Sequence, residues 1–195
     1  VRTGAAIPFG SVKQHAPGDD LSANRSSSLG DLVGVQVPAV LEIGGKPNPH
    51  VWLGGFIGVS VGSTSGALSN ACGALSYACF STGTTLGAQV SYVFTPHEWL
   101  TPWVGYGFGY SWLTVGERNL EVSLRGFDFA HFLVGADYRF SRSFGIGAFV
   151  DFSLGVYSHR EAQGTTPAIP TEDGPISGRA LHHFLTIGPR LILFP

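Results

Sequence analysis

The residues of this chain with the types needed for hydrolytic chemistry cluster in its last third. Ser158, His159 and Glu161 place a hydroxyl, an imidazole and a carboxylate close together in sequence. A serine nucleophile needs a base within hydrogen-bond reach and a donor for the oxyanion. Neighbouring residues of a strand point to opposite faces, so Ser158 and His159 do not readily meet. We therefore expect no enzymatic activity, and a hydrolytic enzyme is the alternative.

Charged residues are scarce, and several of them share one face of predicted strands. They make up 12% of the chain, which is about half of the usual share. Six of them alternate with apolar positions of their strands: Glu42, Arg125, Asp137, Arg139, Asp151 and Arg190. Buried charges are tolerated when they are paired. We expect these six to form a carboxylate–arginine network on an inner face, and a gated ion path through it is the alternative.

The two cysteines, Cys72 and Cys79, lie in a segment rich in glycine and serine. An even number of cysteines at close spacing favours one disulfide in an exported protein, and two free thiols in a reducing compartment are the alternative. Their spacing is not that of a zinc site, and no histidine lies beside them. We expect neither a metal nor another cofactor.

Strands must hold these residues, and the clearest strand runs from Ser143 to Ser158. Every second residue in it is apolar: Phe144, Ile146, Ala148, Val150, Phe152, Leu154 and Val156. A period of two predicts a β-strand with two unlike faces. In a soluble sheet, the face away from the core carries charges that meet water, yet Asp151 is the one charge in this stretch. The pattern is typical of a strand with lipid on one side and a packed polar interior on the other.

The same alternation recurs along the chain and predicts eight strands. They span residues 3–12, 31–43, 50–61, 84–94, 99–114, 121–140, 143–158 and 180–194. Long loops are predicted at about 13–30, 62–83, 115–120 and 159–179, and tight turns separate the other strands. This order indicates an up-and-down barrel with long loops at one rim and tight turns at the other. The predicted fold class is all-β, an eight-stranded antiparallel up-and-down transmembrane β-barrel, in a single domain over residues 1–195.

Aromatic residues gather toward the ends of the predicted strands. The outward-facing members of this set are Tyr92, Phe94, Trp112, Tyr138, Phe140 and Phe144. Aromatic side chains form girdles at the depth of the lipid headgroups in membrane barrels, whereas ordinary strand propensity does not favour strand ends. We predict that these six residues lie at the lipid interface.

Glycines at inward positions leave room for bulky neighbours such as Trp52, Phe56, Trp103 and Phe149. Aromatic rings that lie over glycines of the facing strand are a known device of curved sheets. We expect this packing inside the barrel, and a small ligand cavity beside the glycines is the alternative.

Charge and hydropathy exclude other classes of protein. A formal net charge of −2 argues against nucleic acid as a partner, because such a partner needs a basic face. No window of 18 apolar residues is present, so a membrane-spanning helix is not predicted. The chain does not begin with a leader pattern, and an exported protein would have lost its cleaved leader.

The whole pattern resembles the small eight-stranded outer-membrane barrels of the OmpA/OmpX type. The resemblance covers nearly all of the chain and rests on the alternation, the loop order and the last apolar strand, Leu185 to Phe194. Members of that family usually end on an aromatic residue, whereas here Pro195 follows Phe194.

This resemblance implies a place in the outer membrane of a Gram-negative bacterium, after export with a cleaved leader. It also implies contact with outer-membrane lipid and lipopolysaccharide. A packed lumen and a structural or surface-interaction role are expected, with other envelope or surface proteins meeting the long loops. A narrow pore for ions or small solutes is the first alternative, and an outer-membrane lipid-modifying enzyme is the second.

Overall fold

Alternating apolar and small residues form a continuous antiparallel sheet in the computed structural model, which describes residues 1–11, 28–65, 79–117, 120–141, 143–164, 172–176 and 181–193. The strands are β1 (Arg2–Thr3), β2 (Ala5–Gly10), β3 (Val33–Asn48), β4 (Val51–Thr64), β5 (Phe80–Val93), β6 (Leu100–Glu117), β7 (Leu120–Arg139), β8 (Phe144–Gly164), β9 (Glu172–Pro175) and β10 (Leu181–Leu193). One short helix, α1 (Leu29–Leu32), precedes β3. No helix in these described ranges is long and apolar enough to cross a membrane.

The sheet closes on itself. Sequential strands from β2 to β8 pair as antiparallel neighbours, and β10 pairs with both β8 and β2. The short strands β1 and β2 together occupy one strand position of the ring. Each of them pairs with β10 on one side and with β3 on the other. The result is a ring of eight antiparallel strands in up-and-down order, which confirms the predicted barrel. Closure leaves the ring without an open strand edge.

The two ends of the barrel differ. The turns between β3 and β4, β5 and β6, and β7 and β8 define the short-turn end, and the opposite rim is the long-loop end. Strands reach further at the long-loop end than the sequence predicts, since β6 ends at Glu117 and β7 begins at Leu120. β9 pairs with β8 within the predicted 159–179 loop. The backbone groups of β6, β7, β8 and β9 therefore pair with a neighbouring strand in a part of the chain that was predicted to form loops.

A bulge in β7 reverses which side chains face inward. Between Asp128 and His131, β7 holds one residue more than either neighbouring strand. The carbonyl of Phe129 accepts a hydrogen bond of 2.6 Å from the Tyr106 hydroxyl on the outer face. Asp128 and His131 are therefore both buried inside the ring, although they lie an odd number of residues apart. A bulge inserts one residue and so exchanges the faces of a strand on either side of it.

The buried apolar side chains form two separate clusters inside the ring. The long-loop plug consists of Leu29, Val33, Leu113, Val115, Leu124 and Tyr157. The lower cluster, toward the short-turn end, consists of Val93, Trp103, Leu133 and Phe149. α1 contributes Leu29 to the plug, so the short helix packs into the barrel end. Polar residues occupy the interior between these two clusters.

Candidate functional site in the barrel interior

The outer face of the barrel is an exposed apolar ring, which we call the belt. Its side chains are large and aliphatic or aromatic, and many of them are more than half exposed. Examples from five strands are Val37, Val59, Leu86, Val134 and Ile187. The inner face carries buried charges instead. This distribution is the reverse of the one found in a water-soluble barrel.

The six predicted interface aromatics lie at the two margins of the belt. Trp112 is exposed toward the long-loop end, where its ring contacts Tyr110 with centroids 4.7 Å apart. The other five lie toward the short-turn end: Tyr92, Phe94, Tyr138, Phe140 and Phe144. Four of them form edge-to-face pairs, with centroids 5.3 Å apart for Tyr92 and Phe94 and 5.0 Å apart for Phe140 and Phe144. Contact of these rings with lipid headgroups stays a prediction.

Arg2 is the central charge of the interior and is 2% exposed. Its Nε lies 3.3 Å from Oε1 of Glu42, and its Nη1 lies 3.4 Å from Oδ2 of Asp151. Its Nη2 donates a hydrogen bond of 3.3 Å to Oε1 of Gln89. The guanidinium also lies over the ring of Phe149, 5.1 Å from the centroid. One side chain therefore links β1 to β3, β5 and β8 across the lumen.

Arg190 continues these contacts toward the short-turn end. Its Nε lies 3.4 Å from Oε2 of Glu42, and its Nη1 lies 3.4 Å from Oδ2 of Asp137. The guanidinium covers the indole of Trp103 at 4.4 Å from the ring centroid. Glu42 is thus shared between two arginines, an arrangement that offsets the desolvation of a buried carboxylate.

Two histidines continue the contacts toward the long-loop end. Nδ1 of His131 lies 3.3 Å from Asp151, and its Nε2 lies 3.7 Å from Asp128. Asp128 also contacts Nε2 of His182 at 3.0 Å and accepts a hydrogen bond from the hydroxyl of Ser111. The His182 ring stacks on Tyr157 of the long-loop plug, with centroids 3.9 Å apart.

These groups make one polar chain through the lumen. In order from the long-loop end it runs His182, Asp128, His131, Asp151, Arg2, Glu42, Arg190 and Asp137. Acids and bases alternate along it, so each carboxylate has a basic neighbour. Guanidinium groups stay protonated in proteins, and the two arginines therefore interrupt proton transfer along the polar chain. The contacts of the polar chain instead connect side chains of different strands across the lumen.

The structure places the six predicted network residues in three different surroundings. Glu42, Asp137, Asp151 and Arg190 belong to the polar chain, whereas Arg139 lines a cavity at the short-turn end. Arg125 was predicted to face inward and does not. Its side chain is 44% exposed and its Nη2 lies 3.0 Å from Oε2 of Glu161. The bulge in β7 lies between Arg125 and the inward residues from His131 onward, and it turns Arg125 to the outer face.

Sequence reasoning missed four members of the polar chain, namely Arg2, Asp128, His131 and His182, because it considered only arginines and carboxylates of the strands predicted to face inward. The first strand was predicted to begin at Thr3, which left Arg2 outside it, although Arg2 shares its parity with the inward Ala6. Asp128 was missed because the alternation from 131 to 139 assigns it to the outer face when no bulge is assumed. The sequence does carry a sign of the bulge. Directly before the adjacent pair Ala130 and His131 the large apolar residues occupy odd positions, and after it most of them occupy even positions.

Aromatic rings lie over inward glycines, as the sequence suggested. A Cβ on Gly135 would lie 2.5 Å from Cζ2 of Trp103, and one on Gly87 would meet the ring of Phe56. A Cβ in such a position cannot be accommodated without movement of the ring. Glycine at these positions therefore allows large rings to lie flat against the wall of a narrow barrel.

A small cavity of about 110 Å³ with polar and apolar lining residues remains between Arg2 and the long-loop plug. Gly58, Ser60, Thr85, Ser153 and Thr186 are among its lining residues. The plug lies beyond this cavity on one side, and the ion pairs of Arg2 lie on the other. Such a volume holds a few water molecules. A small cavity thus lies beside Gly58 inside the packed lumen, and its use as a ligand site stays the untested alternative.

The candidate hydrolytic residues lie on the outer wall near the long-loop end. The Ser158 hydroxyl donates a hydrogen bond of 3.4 Å to the carbonyl of Arg125, and Glu161 pairs with the Arg125 guanidinium. Ser158 is the extra residue of β8 opposite the step from Arg125 to Gly126. Both side chains thus hold neighbouring strands together at this bulge.

The predicted disulfide falls partly outside the described residues. Cys79 directly precedes β5 and is not a free thiol. Cys72 lies outside the described residues, so its bond to Cys79 stays a prediction.

Comparison with known proteins yields a likeness of fold. No protein-family model matches the chain. No curated protein matches it either. Among solved structures, the chain is similar to the solid-state NMR structure of outer membrane protein AlkL in DMPC lipid bilayers. The sequence identity is 14%, the match covers 99% of this chain and 90% of that chain, and the TM-score is 0.48.

Proposed function

We propose that this protein is an integral outer-membrane β-barrel with a closed lumen, and that it acts at the cell surface through its long-loop end. The observation that carries the proposal is the belt. Large apolar side chains are exposed around the ring, while Arg2, Glu42 and Asp128 are buried inside it. Hydrocarbon is the surrounding that makes both halves of this distribution favourable.

Water is the unfavourable surrounding for this barrel. Soluble monomers rarely expose contiguous apolar patches larger than a few hundred Å². Here neighbouring outward residues on paired strands are apolar together, as with Val134 beside Val150 and Val150 beside Ile187. The apolar surface is therefore continuous across strands. An aromatic margin at each end gives the belt the expected form of a membrane-spanning band.

The packing of the lumen supports a structural or surface role over a pore. The long-loop plug closes one end of the lumen, and the polar chain runs from it past the lower cluster, where Arg2 lies over Phe149 and Arg190 over Trp103. A molecule that crosses the lumen has to separate both apolar clusters and the ion pairs of Arg2. Conduction by this state of the barrel is therefore not expected, and a narrow pore is the alternative that a conductance measurement tests.

The long-loop end supports a role in surface contact. β6, β7 and β8 continue beyond the Trp112 margin, and β9 adds a further strand beside β8. The outer wall becomes polar there, with Ser123, Arg125 and Glu161 in place of apolar residues. This projecting part offers a polar sheet surface to other envelope or surface proteins. The resemblance to the OmpA/OmpX type and the place in a Gram-negative envelope are part of the same proposal.

A lipid-modifying activity receives less support from the outer wall. Ser158 donates to a backbone carbonyl, and Glu161 holds Arg125. A nucleophile would need its base to accept the hydroxyl proton. We therefore propose that the protein is not an enzyme. Unchanged lipid A mass in cells that express the chain would agree, whereas a mass change that is lost in Ser158→Ala would contradict it.

Insertion into lipid tests the proposal as a whole. The urea-unfolded chain is diluted either into phosphatidylcholine vesicles or into buffer without amphiphile. We expect β-structure by circular dichroism and co-flotation with the vesicles, and aggregation without them. A monodisperse folded protein in plain buffer would overturn the proposal. In planar bilayers we expect no steady conductance. A reproducible open conductance level would show that the lumen is not closed and would favour the pore alternative.

A further inference from the structure

The short-turn end of the barrel contains a cavity of about 350 Å³, which we call the chamber. It lies between the ends of β3, β5, β7 and β10 and the starts of β4 and β6. The side chains that matter for its chemistry are Lys46, Trp52, Asp137, Arg139 and Arg190. Its volume falls within the range of small-molecule sites, about 300–1,000 Å³.

Glycines create the space. The six-membered ring of the Trp52 indole lies against Gly44 and Gly54. A Cβ at Gly44 would lie 2.6 Å from Cζ2 of this ring, and one at Gly54 would lie 2.5 Å from Cη2. Gly45 also lines the chamber, and a Cβ built on it meets no atom within 4 Å. Trp52 therefore forms a wall of the chamber and does not fill it.

The chamber is lined by an excess of positive charge. Among the described lining residues, Lys46, Arg139 and Arg190 are cationic and Asp137 is the one carboxylate. Arg190 is held by Asp137 and Glu42 and covers Trp103. Glu42 is shared between Arg190 and Arg2, so Arg190 is held in the ion pairs of the lumen. A concave site with one sign of charge and apolar walls concentrates ions of the opposite sign.

We propose that the chamber binds a small organic anion, whose carboxylate or phosphate group contacts Arg139 and Lys46 and whose apolar part lies on Trp52. A guanidinium binds either oxyanion through two parallel hydrogen bonds, and an ammonium group adds a point charge. The indole face accepts a flat or aliphatic body by contact. Arg190 is a positioning residue here, because its pairs with Glu42 and Asp137 fix the inner wall.

Two sources present this chemistry at the short-turn end. One is a free solute that enters the chamber from the aqueous side. The other is the phosphate headgroup of an anionic phospholipid in the adjacent leaflet, which reaches the rim with its chains in the bilayer. Both place the same oxyanion against Arg139 and Lys46, so the recognition chemistry is shared.

The experiment uses the full chain in nanodiscs of zwitterionic phosphatidylcholine. Sodium 2-naphthoate, 2-naphthyl phosphate and the neutral 2-naphthalenemethanol are titrated by calorimetry. We expect the two anions to compete with each other and the neutral compound to bind at least about tenfold more weakly. Arg139→Gln and Lys46→Gln should each weaken binding of the anions by about tenfold. Arg125→Gln removes an exposed arginine at the opposite end and should bind like the parent.

Circular dichroism and heat-modifiable migration on a gel establish that each variant is folded. If Arg139→Gln does not fold, Arg139→Lys and Lys46→Gln decide the outcome, since Lys46 is exposed and lies in the register irregularity between Gly45 and Asn48. Absence of binding by the parent, equal binding of the neutral compound, or unchanged binding in both Gln variants overturns the proposal. When phosphatidylglycerol is included in the disc, displacement of 2-naphthoate identifies the lipid headgroup as the ligand. If 2-naphthoate binds to discs with phosphatidylglycerol as strongly as to discs without it, the ligand is identified as a free solute.

Discussion

Arg2 and Glu42 meet inside the barrel, with Nε and Oε1 3.3 Å apart and both side chains buried. The pair joins β1 to β3 across a seam with few ladder pairs. In the described strands these are Arg2 with Val40 and Thr3 with Ala39 from β1, and Ala6 with Gln36 from β2. Pro8 of β2 and Pro38 of β3 cannot donate to the ladder. An ion pair in the lumen thus supports the part of the ring where backbone hydrogen bonding is weakest.

Removal of Arg2 should destabilise the barrel strongly. Arg2→Met keeps the length of the side chain but leaves Glu42 and Asp151 with less compensation in the lumen. Breaking a buried pair in this way typically costs about 3–5 kcal/mol. Urea unfolding in phosphatidylcholine vesicles measures the loss. Arg125→Met is the matched control, because its exposed pair with Glu161 contributes at most about 1 kcal/mol. Equal effects of the two variants would contradict the central place of Arg2.

A charge in the belt should be costly. Val150 lies on the outer face between Val134 and Ile187 of the neighbouring strands. We expect Val150→Arg to lower the free energy of unfolding by about 2–4 kcal/mol, because it places a cation near the bilayer midplane. Val150→Ile is the control and should fold like the parent. If Val150→Arg is as stable as the parent in vesicles, the assigned outward direction is wrong.

Gly135 should not tolerate a side chain. Its Cβ would lie 2.5 Å from Cζ2 of Trp103 and 2.6 Å from the carbonyl of Ala148. Gly135→Ala displaces the indole on which Arg190 lies, and overpacking of this kind costs about 1–3 kcal/mol. The comparison is Gly45→Ala, where the added Cβ meets no atom within 4 Å. The same urea titration separates the two variants, and equal stability would argue against the ring-over-glycine packing.

The predicted disulfide has a direct chemical test. In the protein purified without reductant, iodoacetamide should not add to Cys72 or Cys79, and the intact mass should increase after reduction and alkylation. Closure of so short a loop contributes roughly 2–3 kcal/mol on the chain-entropy model. The Cys72→Ser, Cys79→Ser double variant should lose about that much stability. Alkylation of both residues without reductant would show that the bond is absent.

The sequence by itself determined the wall of the barrel. Alternation with a period of two is local, because each strand residue faces the side opposite to its neighbour whatever lies around it. This is why the run from Phe144 to Val156 predicts a lipid-facing strand, and why the eight strands and their up-and-down order follow from the alternation and the loops. The inward positions of Glu42, Asp137, Asp151 and Arg190 follow from the same parity, since the alternation is unbroken in the part of each strand that holds them.

Tertiary structure decided the partners of these residues and the places where parity fails. One extra residue between Asp128 and His131 buries Asp128 and exposes Arg125, and a bulge depends on how three strands fit together in the closed ring. The contact of Arg2 with Glu42 and Asp151 depends on strand register around the whole ring, because these residues lie far apart in sequence. The chamber likewise exists because Trp52 lies on Gly44 and Gly54, and ring packing of this kind is set when the walls close.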